Sequence, residues 1–176
     1  MVEPCRFRPH RAEAFADRAT ERASRNLQRL PTLLTGEQAA QPGTAVRANY
    51  SGGTAVARIL VVDDEPDICD AIVAALERAG HVVSVAGDGT TAADLHHQHE
   101  FDMIVSDFLM PGLDGIELTR AVRADTRPDI PILLVTASAS HADIAEARQA
   151  GVSAHLAKPF TLTDLRNHVA ALLAAP

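Results

Sequence analysis

Five residues of this chain have types and positions that invite chemistry: Asp63, Asp64, Asp107, Thr136 and Lys158. Each stands where a candidate strand stops, after ILVV, MIVS, ILLV or VSAHLA. Short apolar runs, β-branched and bounded by polar or turn residues, read as buried strands of a parallel sheet. The carboxyl ends of such strands are where open α/β sheets bind ligands and do chemistry. Asp107, followed within a few residues by Met110-Pro111-Gly112, is the centre of the group, although by itself it could equally cap a turn or the next helix. Lys158 is the only lysine in a chain that uses arginine fifteen times. A lysine kept against that habit suits a compact point charge, which the planar guanidinium cannot replace.

Gathered on one edge, three carboxylates would repel and raise one another's pKa unless a cation intervened. Hard oxygen donors that leave room for water and phosphate suit Mg2+. A lysine and a threonine hydroxyl beside them could hold the oxygens of a transferring phosphoryl group. Asp107 would then be the nucleophile, forming an acyl phosphate.

The elements that must position these groups alternate regularly from Val56 onward. Strands are expected at Arg58–Asp63, His81–Ala86, Met103–Asp107, Ile130–Thr136 and Val152–Lys158. Helices are expected at about Pro66–Ala79, Thr90–Gln98, Gly115–Ala124, His141–Ala150 and Leu162–Leu173. Pro66 suits a first helical turn and Gly80 a helix end. Five β-then-α units in about 120 residues predict a doubly wound α/β domain. The flavodoxin-like order 2-1-3-4-5 puts strands 1, 3, 4 and 5 side by side, and with them all five residues.

Charge divides the chain in two. Residues 1–55 carry a net charge of +3, and residues 56–176 carry −10. So acidic a domain gains little from releasing DNA counterions, which argues against direct nucleic-acid binding. Neither a membrane-spanning apolar run nor a secretory signal is visible, and the default address is the cytoplasm. Cys5 and Cys69 lack the pattern of a disulfide framework or a zinc site. Within 1–55, Ala12, Phe15, Ala16, Ala19, Ala23, Leu27 and Leu30 recur at helical spacing, and Pro31–Thr54 has linker composition. A stripe made mostly of alanine buries little, so this extension is either a marginal helix or a disordered tail.

The motifs VVDDE (Val61–Glu65), SDFLMPGLDG (Ser106–Gly115), VTAS (Val135–Ser138) and AKPF (Ala157–Phe160) together resemble the receiver domains of two-component response regulators. The likeness covers about residues 57–175. It implies that Asp107 takes a phosphoryl group from a histidine kinase or a histidine phosphotransfer protein. It implies that Asp64, Asp107 and the backbone carbonyl of Leu109 hold Mg2+, with Asp63 acting largely through bound water. Lys158 would pair with the phosphoryl group, Thr136 would close on it, and the bond from Lys158 to Pro159 would be cis. The surface of the fourth helix, fifth strand and fifth helix would then meet a downstream protein target. Such a chain, monomeric or weakly dimeric, catalyses only its own phosphorylation and dephosphorylation.

Several positions depart from the family pattern or compete with it. His155 stands where the family usually has a switching Tyr or Phe; it is either a switch or a surface residue of the last strand. No recognisable output domain accompanies the receiver-like part. Leu109 and Ser138 occupy positions that tune acyl-phosphate lifetime in the family. Neither is an acid or amide, so slow self-hydrolysis is expected. Leu109 also stands where a haloacid-dehalogenase phosphatase would need a second acid, which counts against that enzyme class. His96, His97 and His99 suggest a metal site but lack an acid or cysteine at ligand spacing, so a solvated polar face is expected. Gly87-Asp88-Gly89 reads as a turn.

Overall fold

The computed structural model describes residues 56–137 and 140–175. The expectations for the amphipathic segment and linker within 1–55, and for Ser138, lie outside the described residues. The strands are β1 (Arg58–Val62), β2 (Val82–Ala86), β3 (Met103–Asp107), β4 (Ile132–Thr136) and β5 (Ala154–Ala157). The helices are α1 (Pro66–Arg78), α2 (Gly89–Gln98), α3 (Gly115–Arg123), α4 (His141–Ala150) and α5 (Leu162–Ala174). All four strand pairings are parallel, in the order β2-β1-β3-β4-β5. The fold is thus the doubly wound, flavodoxin-like one that the alternation of elements predicts.

Alternate residues of the strands serve opposite faces, and both faces are covered, so every second position has to be apolar on both sides. Ile59, Val61, Met103, Val105, Leu133 and Val135 pack with Ile72 and Leu76 of α1 and Leu165 and Val169 of α5. Leu60, Val62, Ile104 and Ile132 pack with Ala92 of α2 and Leu118 and Val122 of α3. The third cluster is small: Ile116 and Leu134 receive only Ala147 from α4, with Phe108, Ala150 and Val152 at its edge. A fully buried leucine or isoleucine contributes roughly 1.5–3 kcal/mol, and a methyl far less. Helix α4, whose one buried residue is Ala147, is therefore the helix held least by apolar burial.

Helix boundaries follow from local chemistry. Pro66 opens α1, Asp88 caps α2, and Asp114, Ser140 and Thr161 form capping boxes with Glu117, Asp143 and Asp164. Several boundaries differ from expectation; β1, for one, stops at Val62 rather than Asp63. Helix α2 starts at Gly89, because the Asp88 side chain accepts from the Thr91 amide and turns the expected loop into a cap. Strand β2 starts at Val82, while His81 is buried with its Nδ1 accepting from the Ala57 amide. Strand β4 starts at Ile132, after Pro131, which has no N–H for a ladder. Strand β5 is limited to Ala154–Ala157.

Candidate functional site

The register brings the strand ends together: Val62 lies opposite Ser106, Asp107 opposite Val135, and Thr136 opposite Ala157. Asp63 follows β1 directly, and Asp107 and Thr136 are the last residues of β3 and β4. Lys158 follows β5, its amide donating to the Thr136 carbonyl at 2.7 Å. The bond from Lys158 to Pro159 is cis.

Lys158 reaches across to the two buried acids. Its Nζ is 2.8 Å from Asp107 Oδ1, 3.3 Å from Asp63 Oδ2 and 3.9 Å from Glu65 Oε1. Asp63 and Asp107 are largely shielded from water, whereas Asp64 and Glu65 stand exposed on the rim. Backbone amides orient both carboxylates. The Glu65 amide donates to Asp63 Oδ1 at 2.9 Å, and the Leu109 amide to Asp107 Oδ2 at 3.3 Å. Leu109 itself is exposed at the mouth, at 68%.

The electrostatics follow from burial and from one shared cation. Burial raises the Asp63 carboxyl above its usual range and the Asp107 charge adds to this, while the Glu65 amide and Lys158 oppose both. Burial would lower the Lys158 ammonium, but its hydrogen bonds and charge interactions with Asp107 and Asp63 outweigh that and raise it. Lys158 thus stays a cation at neutral pH. The Cys69 thiol donates to the Asp63 carbonyl and burial pushes it up to about 12, so it is a packing group rather than a nucleophile.

Asp63, Asp107, Lys158 and Thr136 therefore occupy one edge of the sheet, with Asp64 at its rim. His155 lies one strand away, exposed and opposite Leu134 in the register. It borders a cavity of about 290 Å3 under α4 that Thr136 also lines. Among the described residues, no three His, Cys, Asp or Glu side chains stand at metal-holding spacing.

Two features of the site were not read from the sequence. Glu65 supplies the amide that holds Asp63 and a third acid near Lys158; its place in the DDE run was the available signal. Gly115 lets α3 start directly against Asp107, since a Cβ there would lie 2.5 Å from both the Asp107 carbonyl oxygen and Leu134 Cδ1. The histidine cluster requires a correction. His96 is buried at 1%, between α2 and α3, so only His97 belongs to a solvated face.

A parallel five-stranded sheet presenting two buried acids and a lysine at its carboxyl edge defines an α/β domain with an acidic active-edge pocket. The comparisons with known proteins refine this. The response regulator receiver domain family matches residues 59–170, and the chain belongs to that family. It is 44% identical over 114 residues to the chemotaxis protein CheY of Pseudomonas aeruginosa, covering 64% of this chain and 92% of that one. It is 40% identical to the response regulator MprA of a Mycobacterium species, over 66% of this chain but only half of MprA. Among solved structures, Vibrio cholerae CheY4 superposes with a TM-score of 0.65 at 33% identity, covering 67% of this chain and 99% of that one. The receiver domain of the Pseudomonas aeruginosa sensor kinase PA1611, solved with magnesium in its active-site cleft, gives 0.64 at 33% identity, covering 69% and 100%.

Proposed function

We propose that this chain is a phosphoacceptor of two-component signalling, with Asp107 as the acceptor and a histidine kinase or histidine phosphotransfer protein as the donor. The observation that carries the reading is the 2.8 Å contact between Lys158 Nζ and Asp107 Oδ1 at a strand-end pocket shared with Asp63. In the transfer, an Asp107 carboxylate oxygen attacks phosphorus in line with the leaving imidazole nitrogen. The new P–O bond forms as the P–N bond breaks, and the electron pair remains on the imidazole nitrogen. Lys158 pairs with the incoming phosphoryl oxygens, and Thr136 closes on them from the next strand.

The residues also fit Mg2+. Asp63 and Asp107 share one ammonium, and the Asp64 carboxylate stands beside them, so a further cation would relieve negative charge that Lys158 alone does not balance; burial raises the Asp63 carboxyl, and the Asp107 charge adds to it. Asp64, Asp107 and the Leu109 carbonyl are hard oxygen donors, with Asp63 reached through water, a set that needs no third carboxylate in direct contact. Bound there, Mg2+ would neutralise charge on the phosphoryl oxygens. Phosphorylation would bias Thr136 and His155, and with them the α4-β5-α5 surface that a downstream protein target reads. The receiver unit is assigned to residues 56–176 and the extension to 1–55. Among the described residues no helix is long and apolar enough to cross a membrane, and the acidic domain favours protein partners over nucleic acid. A cytoplasmic monomer or weak homodimer is the accompanying assignment.

Incubation with acetyl phosphate and Mg2+ should add one phosphoryl group, read by intact mass. Asp107→Asn should abolish the addition. Persistence of the added mass in that variant would refute the assignment of Asp107.

A further inference from the structure

The chain enters the domain beside the end of α2. The Arg58 amide donates to Asp102 Oδ2 at 2.7 Å, the Asp102 amide donates back to the Arg58 carbonyl at 2.8 Å, and the Arg58 guanidinium lies over the Phe101 ring. Asp102 and Phe101 follow closely on the last residue of α2, Gln98. Residues 1–55 are therefore tethered near the foot of the groove between α2 and α3.

That groove holds a cavity of about 280 Å3, bordered by Ala93 and Asp94 of α2 and by Ala121, Ala124 and Asp125 at the end of α3. Small side chains leave it open, and its two acids are short of cations. Asp125 meets only the imidazoles of His96 and His97, at 3.8 and 3.3 Å, and Asp94 forms no ion pair among the described residues. The arginines nearby are engaged elsewhere. Arg120 pairs with Glu146 at 2.8 Å, Arg123 donates to the Gly151 and Pro128 carbonyls, and Arg127 donates to the His96 and His99 carbonyls. His96, buried at 1%, lines the same cavity, and neither of its ring nitrogens is hydrogen-bonded among the described residues. The cavity under α4, by contrast, sets Arg148 beside its one acid, Asp143, and offers a cation no advantage.

The sequence before the domain supplies the complement. Arg18, Arg22, Arg25 and Arg29 recur at intervals of four, three and four, which on a helix is one face. The apolar stripe of Ala19, Ala23, Leu27 and Leu30 would run beside that face, and Glu13, Asp17 and Glu21 would fall on a different one. Residues 1–55 carry +3 against −10 for the rest of the chain. We propose that residues 11–30 dock in cis on the α2–α3 groove, with guanidiniums of the arginine stripe on Asp94 and Asp125 and the neighbouring apolar side chains over the alanine-lined cavity. The linker-like residues 31–54 span about 25–30 Å on average, enough to bring the stripe back over the point where the chain enters. Tethering at that length gives an effective concentration on the order of millimolar, so exposed ion pairs of modest strength suffice. The groove lies toward the amino edge of the sheet, away from Asp107, and the docking stands apart from the phosphoacceptor reading.

Because Lys158 is the only lysine, a lysine placed in the stripe reports its own neighbours in the full chain. Arg18→Lys, Arg22→Lys, Arg25→Lys and Arg29→Lys, made singly, keep the charge. A water-soluble carbodiimide then joins such a lysine to a carboxylate in contact with it, forming an amide with loss of water. Peptide mapping by mass spectrometry should place the links on Asp94 or Asp125 of the same chain. Sodium chloride at about 1 M, where the screening length falls to about 3 Å, should abolish them. In the Arg29→Lys chain, adding Arg22→Glu and Arg25→Glu should lower the yield severalfold, the scale of losing two exposed ion pairs. Links scattered over the acids of the domain or gathered on α1 would overturn the proposal, and covalent dimers would assign the stripe to a second copy instead. So would a lack of links together with unchanged amide chemical shifts at residues 93–98 and 121–125 on Arg22→Glu and Arg25→Glu. None of these measurements involves phosphorylation, so they decide the docking whatever becomes of Asp107.

Discussion

Lys158 and Asp107 come from strands separated by β4, yet their charged atoms meet at 2.8 Å, and the same ammonium is 3.3 Å from Asp63. One cation thus serves two buried acids, which makes Lys158 the group whose loss the pocket tolerates least.

Replacing Lys158 with alanine leaves Asp63 and Asp107 facing each other without a counter-charge. Breaking a buried pair from one side costs about 3–5 kcal/mol, and the partly open mouth here places the expected loss nearer the lower figure. Phosphoryl transfer to Asp107 should also slow by on the order of a hundredfold, as when one preorganised donor is removed. Arginine should rescue stability more than transfer, because its planar fork cannot occupy the same point. Urea denaturation and the rate of labelling by acetyl phosphate separate the two effects.

The titrations of Lys158 and Asp63 both lower stability as pH rises, in two well-separated ranges. Lys158 has its folded pKa raised above 10.5, so its contribution to stability is complete below pH 10.5 and is lost as pH rises through the folded value. Asp63 has its folded pKa raised above 3.8, so the folded state holds its proton longer, and stability falls as pH rises from 3.8 through the folded value. Asp63→Asn should therefore flatten the stability profile just above pH 3.8 and leave the alkaline limb to Lys158. Denaturation midpoints across both ranges test this.

The fold and most of the pocket were legible because their signals are local. Apolar runs ending on Asp63, Asp107 and Thr136 mark strands and sheet edge together, and a lone lysine stands out against fifteen arginines. What was not legible depends on pairs distant in sequence. His96 looks polar beside His97 and His99, and only the packing of α2 on α3 buries it. Gly115 looks like a routine helix start until the Asp107 carbonyl is placed against it. The bond from Arg123 to the Gly151 carbonyl joins residues 28 apart with no motif to announce it.

Gly115→Ala tests that close approach. The added methyl would lie 2.5 Å from a backbone oxygen and from Leu134 Cδ1, and the oxygen cannot move without shifting β3. Overpacking of this kind costs roughly 1–3 kcal/mol. Slower labelling of Asp107 should accompany the lower denaturation midpoint, since the strain falls on the acceptor's own peptide. Normal labelling in a destabilised protein would place the strain on Leu134 instead.

Leu109 covers the mouth beside Asp107 with an exposed apolar side chain, at 68%, that neither orients nor activates water. Leu109→Asn should shorten the acyl-phosphate half-life several-fold without changing the midpoint of unfolding, since exposed positions move stability by about 0.5 kcal/mol or less. The decay of the added phosphoryl mass after the donor is removed measures it.

His96 makes the fold acid-sensitive away from the pocket. Burial holds its imidazole below 6.5, Arg127 and Arg123 add to this, and Asp125, at 3.8 Å from Nε2, opposes it. Neither ring nitrogen has a hydrogen-bond partner among the described residues. The unfolded chain therefore binds this proton more readily than the folded one, and stability falls as pH drops through 6.5 toward the folded value. His81, also lowered by burial, adds to the same slope. His96→Leu removes two unpaired polar atoms as well as the titration, so it should match or exceed wild-type stability at neutral pH and lose less between about pH 7 and pH 5. His81 keeps the remaining slope from vanishing. A variant as acid-sensitive as wild type would show that His96 is satisfied by a group that travels with the fold, such as a bound water, and that its burial sets no pH dependence.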